Sequence, residues 1–203
     1  MIYNKFDFDN NNENLVPTLI EPKLFRDERG YFFESFNLKD FEDKMGQKIN
    51  FVQDNESFSQ KGTLRGMHFQ TGPWEQAKLV RVVKGAVYDV AVDIRPNSST
   101  FGKFVGVHLT ENNHQQFFIP RGFAHGFVAL EDDTIFQYKC DNYYHKANEG
   151  SFRWNTIGIP WDNYVDLNKV IVSEKDADAI PFADYVKRNF NSYFNNVINM
   201  NKL

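Results

Sequence analysis

The sequence predicts an all-β domain, either a closed barrel or a double-sheet jelly roll. Composition gives the first indication. The 203 residues include 21 Phe, 9 Tyr and 3 Trp, and aromatic side chains favour strands and line pockets for flat ligands. The second is that, from Lys78 onward, short alternating runs follow one another with turn residues between them and no helical pattern intervening. The length fits one domain with an appendage. A chain of this size buries roughly 70% of its unfolded surface, so it needs neither disulfides nor a structural metal.

The elements follow in chain order. Asn10, Asn11 and Asn12 form a polar patch read as a loop. Over residues 36–46, Leu38, Phe41 and Met45 recur at helical spacing and Gly46 follows as a C-cap, which predicts one short helix. Residues 78–83 form a β-branched strand that Lys84 and Gly85 interrupt. Residues 86–95 form the next strand, with Val90, Val92 and Ile94 on one face and Asp89 and Asp93 on the other. Two strands joined by a glycine-containing turn predict a hairpin. Pro96, Asn97 and Ser98 make the following turn. Further strands are predicted over 104–109, 116–119, 126–130 and 134–140, separated by turn residues at 111–113 and 131–133.

After Pro181 the pattern becomes helical and amphipathic. Tyr185, Asn189, Ser192 and Asn196 share one face; Val186, Phe190, Phe194 and Val197 share another. The organisation expected is therefore a domain over 1–181 and a tail over 182–203, packed on that domain or on a partner subunit.

Net charge is -4, so there is no global basic field for nucleic acid or an acidic membrane, although a local Arg and Lys cluster suffices for an anionic small molecule. No apolar run approaches the roughly 18–20 residues of a membrane span. Residues 1–14 carry acids and asparagines where a signal peptide would be basic and then apolar. The single Cys140 has no intramolecular disulfide partner, which is consistent with a reducing compartment, and reads as a small core or surface residue rather than a nucleophile. A cytoplasmic location is expected, with no nucleic-acid or membrane partner.

Two clusters carry the chemistry. One runs Gly62-Thr63-Leu64-Arg65-Gly66-Met67-His68-Phe69-Gln70, with Lys78 ten residues after the histidine. The other runs Pro120-Arg121-Gly122-Phe123-Ala124-His125-Gly126-Phe127. Glycine admits a ligand close to the backbone, aromatic rings make a dry wall, and histidine exchanges protons near neutral pH. A pair of hydrogen-bonded core histidines is the alternative reading. The Pro-x-Gly-x-x-His spacing resembles the second motif of the cupin superfamily, and Gly62 followed after five residues by His68 resembles the opening of the first. Metal-binding cupins continue with His-x-His and a glutamate. Here Gln70 stands at the second histidine and Glu75 lies near the acid position, so His68, Glu75 and His125 would be the ligand set of a metal-dependent alternative. A metal-free site is favoured.

A narrower resemblance covers residues 25 to about 176. Its blocks include Asp27-Glu28-Arg29-Gly30-Tyr31-Phe32-Phe33-Glu34, Gln53-Asp54-Asn55-Glu56-Ser57, Leu64 to Gln70 and Lys78-Leu79-Val80. Asp93-Ile94-Arg95, Ser99-Thr100-Phe101-Gly102, Gly122 to Phe127, Tyr138-Lys139, Tyr143-Tyr144 and Ser173-Glu174-Lys175-Asp176 continue it. These blocks resemble the dTDP-4-dehydrorhamnose 3,5-epimerase family. The resemblance implies a cupin-type double-stranded β-helix (jelly roll) with a few short peripheral helices. It further implies inversion at C3 and C5 of a dTDP-linked 4-keto-6-deoxyhexose through enolates, without a cofactor, in rhamnose biosynthesis. A relative inverting only C3 or only C5 would have nearly the same residues.

Under this resemblance, His68 matches the base, Asp176 its paired carboxylate, Tyr138 the acid on the opposite face, and Lys78 the cation beside the developing enolate. Arg29, Arg65 and Lys175 match substrate contacts. Glu34, Gln53, Asn55 and Glu149 match polar contacts, His125 a group close to the sugar, and Tyr144 a ring stacking on thymine. Family members pair through N-terminal strands, so a homodimer is expected.

Overall fold

The computed structural model describes residues 1–8 and 16–190. The 10–12 loop and the part of the C-terminal stretch beyond Phe190, including Ser192, Phe194, Asn196 and Val197, lie outside the described residues. The strands are β1 (Ile2–Lys5), β2 (Thr18–Glu21), β3 (Phe25–Asp27), β4 (Gly30–Phe32), β5 (Gln53–Ser59), β6 (Leu64–Gln70) and β7 (Lys78–Lys84). After them come β8 (Ala86–Asp93), β9 (Phe104–Thr110), β10 (Gln116–Ile119), β11 (Phe123–Ala129), β12 (Thr134–Cys140) and β13 (Glu149–Ser151). Outside the strands lie the helices α1 (Leu38–Met45) and α2 (Glu174–Ala177), and a further helical stretch covers 182–190 among the described residues.

Eleven of the strands form a six-stranded sheet, β1-β2-β10-β7-β12-β5, facing a five-stranded sheet, β13-β6-β11-β8-β9, while β3 and β4 pair as a separate two-stranded arm. This is a jelly roll, one of the two architectures the alternating runs left open and the one the family resemblance implied. Between the sheets lie Val80, Val82, Phe117, Ile119 and Phe136 from one side and Val87, Ala91, Val107, Leu109, Phe123 and Phe127 from the other. Both outer faces are partly covered. On the six-stranded sheet, Phe41 and Met45 of α1 pack on Ile20, Leu79 and Phe118. Asn37 caps this helix by accepting the Asp40 N–H, and Gly46 closes it in the left-handed region at φ 72°.

The outer face of the five-stranded sheet is covered by the chain after β13. Phe152, Trp154, Ile159 and Trp161 join Met67, Phe69, Val90 and Val92 in a second core. The helix over 182–190 packs here too. Tyr185, assigned by spacing to the polar face of that helix, is instead buried with its neighbour Val186. Its ring meets Phe69 edge-on at 5.2 Å. Tyr185 shares its buried face with Val186, Phe182 and Phe190, while Lys187, Arg188 and Asn189 stay exposed.

The hairpin expected between residues 78–83 and 86–95 does not form. β7 pairs with β10 and β12, whereas β8 pairs with β9 and β11 in the other sheet. Gly85, at φ +81°, turns the chain from one sheet to the other, and a Cβ there would lie 2.5 Å from the Thr134 hydroxyl. β8 is consequently buried along its whole length. Its Val90 and Val92 face the outer core, and Val87 and Ala91 face the space between sheets.

Candidate active site

One end of the space between the sheets opens into a cavity of about 570 Å³, lined from both sheets. Arg65, His68 and His125 come from the five-stranded sheet, and Asn55, Lys78 and Tyr138 from the six-stranded sheet. Lys175 and Asp176 enter from α2.

Strand alternation would put Arg65 and His68 on opposite faces of β6, because they are three residues apart. A bulge brings both into the cavity. His68 lies opposite His125, and Arg65 opposite Phe127, so β6 carries one more residue than β11 over this stretch. The two backbones approach closely at the bulge: a Cβ on Gly66 would fall 2.6 Å from the Gly126 Cα.

Asp176 reaches His68 across 108 positions of sequence. The C-terminal segment is pinned beside β6 by the Leu64 N–H donating to the Ile171 carbonyl and the Ile171 N–H donating to that of Gly62, both at 2.9 Å. Ser173 then caps α2 by accepting the Asp176 N–H. The carboxylate meets His68 Nε2 at 2.5 Å through Oδ1 and accepts the Gly66 N–H at 3.3 Å through Oδ2. Burial pushes Asp176 upward, but the His68 hydrogen bond and charge, with Gly66 and Ser173, outweigh it and hold the carboxyl below its ordinary value. With Nε2 engaged, Nδ1 of His68 is the ring nitrogen left for chemistry.

A second imidazole–carboxylate pair lies beside the first. His125 Nε2 is 2.9 Å from Asp89 Oδ2, and both side chains are buried. Asp89 Oδ1 has no hydrogen-bond partner. Burial lowers the His125 pKa and so favours the neutral ring, against the opposing pull of Asp89. Sequence reading placed Asp89 only on one face of a strand. Its signal was a buried-strand acid, and that becomes informative only once β8 is known to be covered on both sides.

On the facing sheet, Tyr138 lies opposite Asn55 of β5 and Val80 of β7. Burial raises its phenol pKa, Cys140 adds to the effect, and Arg65 opposes it. The Lys78 ammonium lies 5.7 Å from the Tyr138 ring centre. Burial lowers the Lys78 pKa against the pull of Cys140, Asp89 and Glu149. Ser57, not singled out from sequence, also lines the cavity with its hydroxyl unpartnered.

A second lobe of about 320 Å³ shares Asn55, His68, Lys78 and Tyr138 with the first and adds Gln53, Tyr144 and Glu149. Tyr144 donates its hydroxyl to Glu149 at 3.1 Å, and Lys175 forms an ion pair with the same carboxylate. Eleven of the thirteen residues selected from sequence therefore line these two lobes: Gln53, Asn55, Arg65, His68, Lys78, His125, Tyr138, Tyr144, Glu149, Lys175 and Asp176. Arg29 and Glu34 do not. Arg29 pairs with Asp27 on the exposed β3–β4 arm, and Glu34 accepts from Asn37 Nδ2 at 3.2 Å.

Glu75, the carboxylate of the metal-dependent alternative, lines neither lobe. No group of three or more His, Cys, Asp or Glu among the described residues is arranged to hold a metal ion. Among the same residues, no helix is long and apolar enough to cross a membrane.

Jelly roll and site together define a cupin-type enzyme equipped for acid–base chemistry, with a carboxylate-held imidazole and a protonated phenol on facing walls of one cavity. A family model described as dTDP-4-dehydrorhamnose 3,5-epimerase matches residues 16–184. The chain belongs to that family, an isomerase family. It is 56% identical over 168 residues to the dTDP-4-dehydrorhamnose 3,5-epimerase of Salmonella typhimurium, covering 82% of this chain and 90% of that one. The crystal structure of the same enzyme from Elizabethkingia anophelis superposes with a TM-score of 0.83 at 47% identity, covering 91% and 97% of the two chains. The Legionella pneumophila dTDP-6-deoxy-D-glucose-3,5-epimerase, in complex with dTDP-4-keto-L-rhamnose, gives a TM-score of 0.79 at 44% identity, with coverage of 89% and 93%.

Proposed function

We propose that this protein inverts C3 and C5 of dTDP-4-dehydro-6-deoxy-D-glucose by proton transfer, as a dTDP-4-dehydrorhamnose 3,5-epimerase of rhamnose biosynthesis. One observation carries the reading: His68, backed by Asp176, and Tyr138 line the same cavity from facing sheets. The C4 ketone acidifies the hydrogens on both neighbouring carbons. Nδ1 of His68 takes the proton from carbon, and the C–H electron pair moves into the enolate, with negative charge on the C4 oxygen. The Lys78 ammonium stabilises that oxygen. Tyr138 then delivers its hydroxyl proton to the carbon from the other face, and the resulting phenolate and imidazolium exchange protons with water. Two such cycles invert two centres, and neither needs a redox step.

Arg65 and Lys175 are suited to the diphosphate, while Tyr144, with Gln53 and Glu149 beside it, is suited to the nucleoside. His125 and Asn55 complete the wall around the sugar. Turnover in heavy water tests the reaction. Two deuterium atoms per product, with inversion at both carbons, are expected; one deuterium would assign a single-centre epimerase, and none would remove the proton-transfer reading.

We further infer a homodimer. Phe25, Tyr31 and Phe32 of the β3–β4 arm are 54%, 54% and 70% exposed, and Arg29 on that arm is remote from its own cavity. An arm reaching a second copy would cover these rings and bring Arg29 and the nearby Glu34 toward the partner's substrate. Light scattering on a sizing column tests this, and a monomer at micromolar concentration overturns it. A cytoplasmic location is the accompanying proposal, in keeping with the lone, buried Cys140.

A further inference from the structure

We propose that Trp74 and His145 form a clamp that holds Tyr144 preset for stacking on the nucleobase, which makes both of them positioning residues for substrate binding. The inference rests on the reading of Tyr144 as the base platform. The Tyr144 ring is 51% exposed on a loop, where aromatic side chains ordinarily rotate freely. Here its backbone N–H donates to Gln53 Oε1 at 3.2 Å and its hydroxyl to Glu149 at 3.1 Å. The chain then turns inward at His145, whose N–H donates to Gln70 Oε1 at 2.9 Å.

The His145 ring lies flat against the Trp74 indole, with centroids 4.4 Å apart and planes 9° from parallel. Nδ1 of that imidazole is buried with no hydrogen-bond partner. An unmade hydrogen bond on a buried polar atom costs roughly 1–3 kcal/mol, so the stack, rather than ring hydrogen bonding at Nδ1, secures this side chain. Trp74 ends a single 3-10 turn, Gly72–Trp74. That turn is tied to both ends of the Tyr144 loop. Asn142 Nδ2 donates to the Pro73 carbonyl at 3.0 Å, while the Thr71 N–H and hydroxyl donate to the Asn148 carbonyl at 2.9 and 3.1 Å. Neither Trp74 nor His145 lines the reaction cavity. Their contribution is to fix the loop before the ligand arrives, which removes an ordering cost from binding.

The test titrates dTDP and, separately, inorganic pyrophosphate into wild type, Trp74→Ala, Trp74→Phe, His145→Ala, Tyr144→Ala and the Trp74→Ala/Tyr144→Ala double variant, with steady-state kinetics alongside. An aromatic stack is worth about 0.5–1.5 kcal/mol, so Trp74→Ala and His145→Ala are expected to weaken dTDP about 3- to 10-fold. Pyrophosphate affinity and kcat should stay at wild-type values while KM rises, and Trp74→Phe should recover most of the loss. The double variant should bind dTDP no more weakly than Tyr144→Ala alone. If Tyr144→Ala weakens dTDP and neither Trp74→Ala nor His145→Ala does, the clamp is wrong. If Tyr144→Ala itself leaves dTDP binding intact, the stacking reading beneath it is wrong. Additive losses in the double variant, or equal weakening of pyrophosphate, would also overturn the positioning role. Should Trp74→Ala fail to fold, His145→Ala and Trp74→Phe decide the question.

Discussion

His68 and His125 lie directly opposite each other on antiparallel strands β6 and β11, and each turns its Nε2 to a carboxylate. The two pairs differ in their surroundings. His68 is 31% exposed in its side chain and opens on the cavity, whereas His125 is 7% exposed, with Asp89 fully enclosed behind it. Of two similar pairs in one register, only the first combines an oriented imidazole with ready access to a ligand and to water. Under the proposed reaction, that difference favours His68 over His125 as the group that takes the proton, with His125 on the cavity wall.

Replacing either member of the accessible pair should therefore stop the reaction while sparing binding. His68→Ala and Asp176→Asn are expected to lower kcat by about 10²- to 10⁴-fold, the usual contribution of a positioned acid or base. Single-turnover deuterium incorporation should fall in parallel, with dTDP affinity little changed. Activity within threefold of wild type in His68→Ala would assign the base elsewhere.

Tyr138→Phe separates the two halves of the reaction. The variant retains the base but has no proton to return from the opposite wall. Substrate recovered from heavy water should carry deuterium with its original configuration, and product should fall by about 10²-fold or more. Unimpaired inversion in this variant would exclude Tyr138 as the acid.

The alkaline side of the pH profile should belong to Lys78. Burial lowers its pKa below the ordinary 10.5, so the ammonium is lost earlier than in an exposed lysine. Burial raises Tyr138 above 10.0, so the phenol keeps its proton longer than usual. As pH rises, turnover should fall at a pH below 10.5, and Tyr138→Phe should not remove the fall from its residual exchange rate. Asp89 favours the charged forms of both Lys78 and His125. Asp89→Asn should accordingly move the alkaline limb to still lower pH and make His125 harder to protonate, as read by NMR titration of its ring. A shift of the limb upward would contradict this arrangement.

Gly66 tests the bulge that brings Arg65 and His68 together. It sits at φ +138°, and an added Cβ would meet the Gly126 backbone at 2.6 Å. Gly66→Ala should destabilise the protein by about 1–3 kcal/mol through overpacking, seen as a lower denaturation midpoint, and activity should fall with it. Wild-type stability would mean that β6 and β11 can separate at no cost.

Much of this protein was legible along the chain wherever the signal is local. Short-range periodicity marked α1 with its Gly46 cap and the runs that became β10 and β12. The glycine-flanked histidines marked one wall of the site, and the ordered blocks marked the family. Strands β5 and β6 were harder to read, since polar residues such as Asn55, Ser57, Arg65 and His68 interrupt their alternation where they line the cavity.

What the sequence by itself determined is the set of groups: an imidazole, a phenol, a lysine, an arginine and enough aromatic rings to enclose them. Their arrangement was decided only by the tertiary structure. Gly85 sends β7 and β8 into different sheets, so the predicted hairpin becomes two facing walls. The bulge at Gly66 overrides strand alternation, and the pinning of residue 171 beside β6 delivers Asp176 to His68 from 108 positions away. Each depends on backbone pairing between distant segments. Local propensity carries no record of which segments those will be, because the hydrogen bonds and buried contacts that select them exist only after the sheets have assembled.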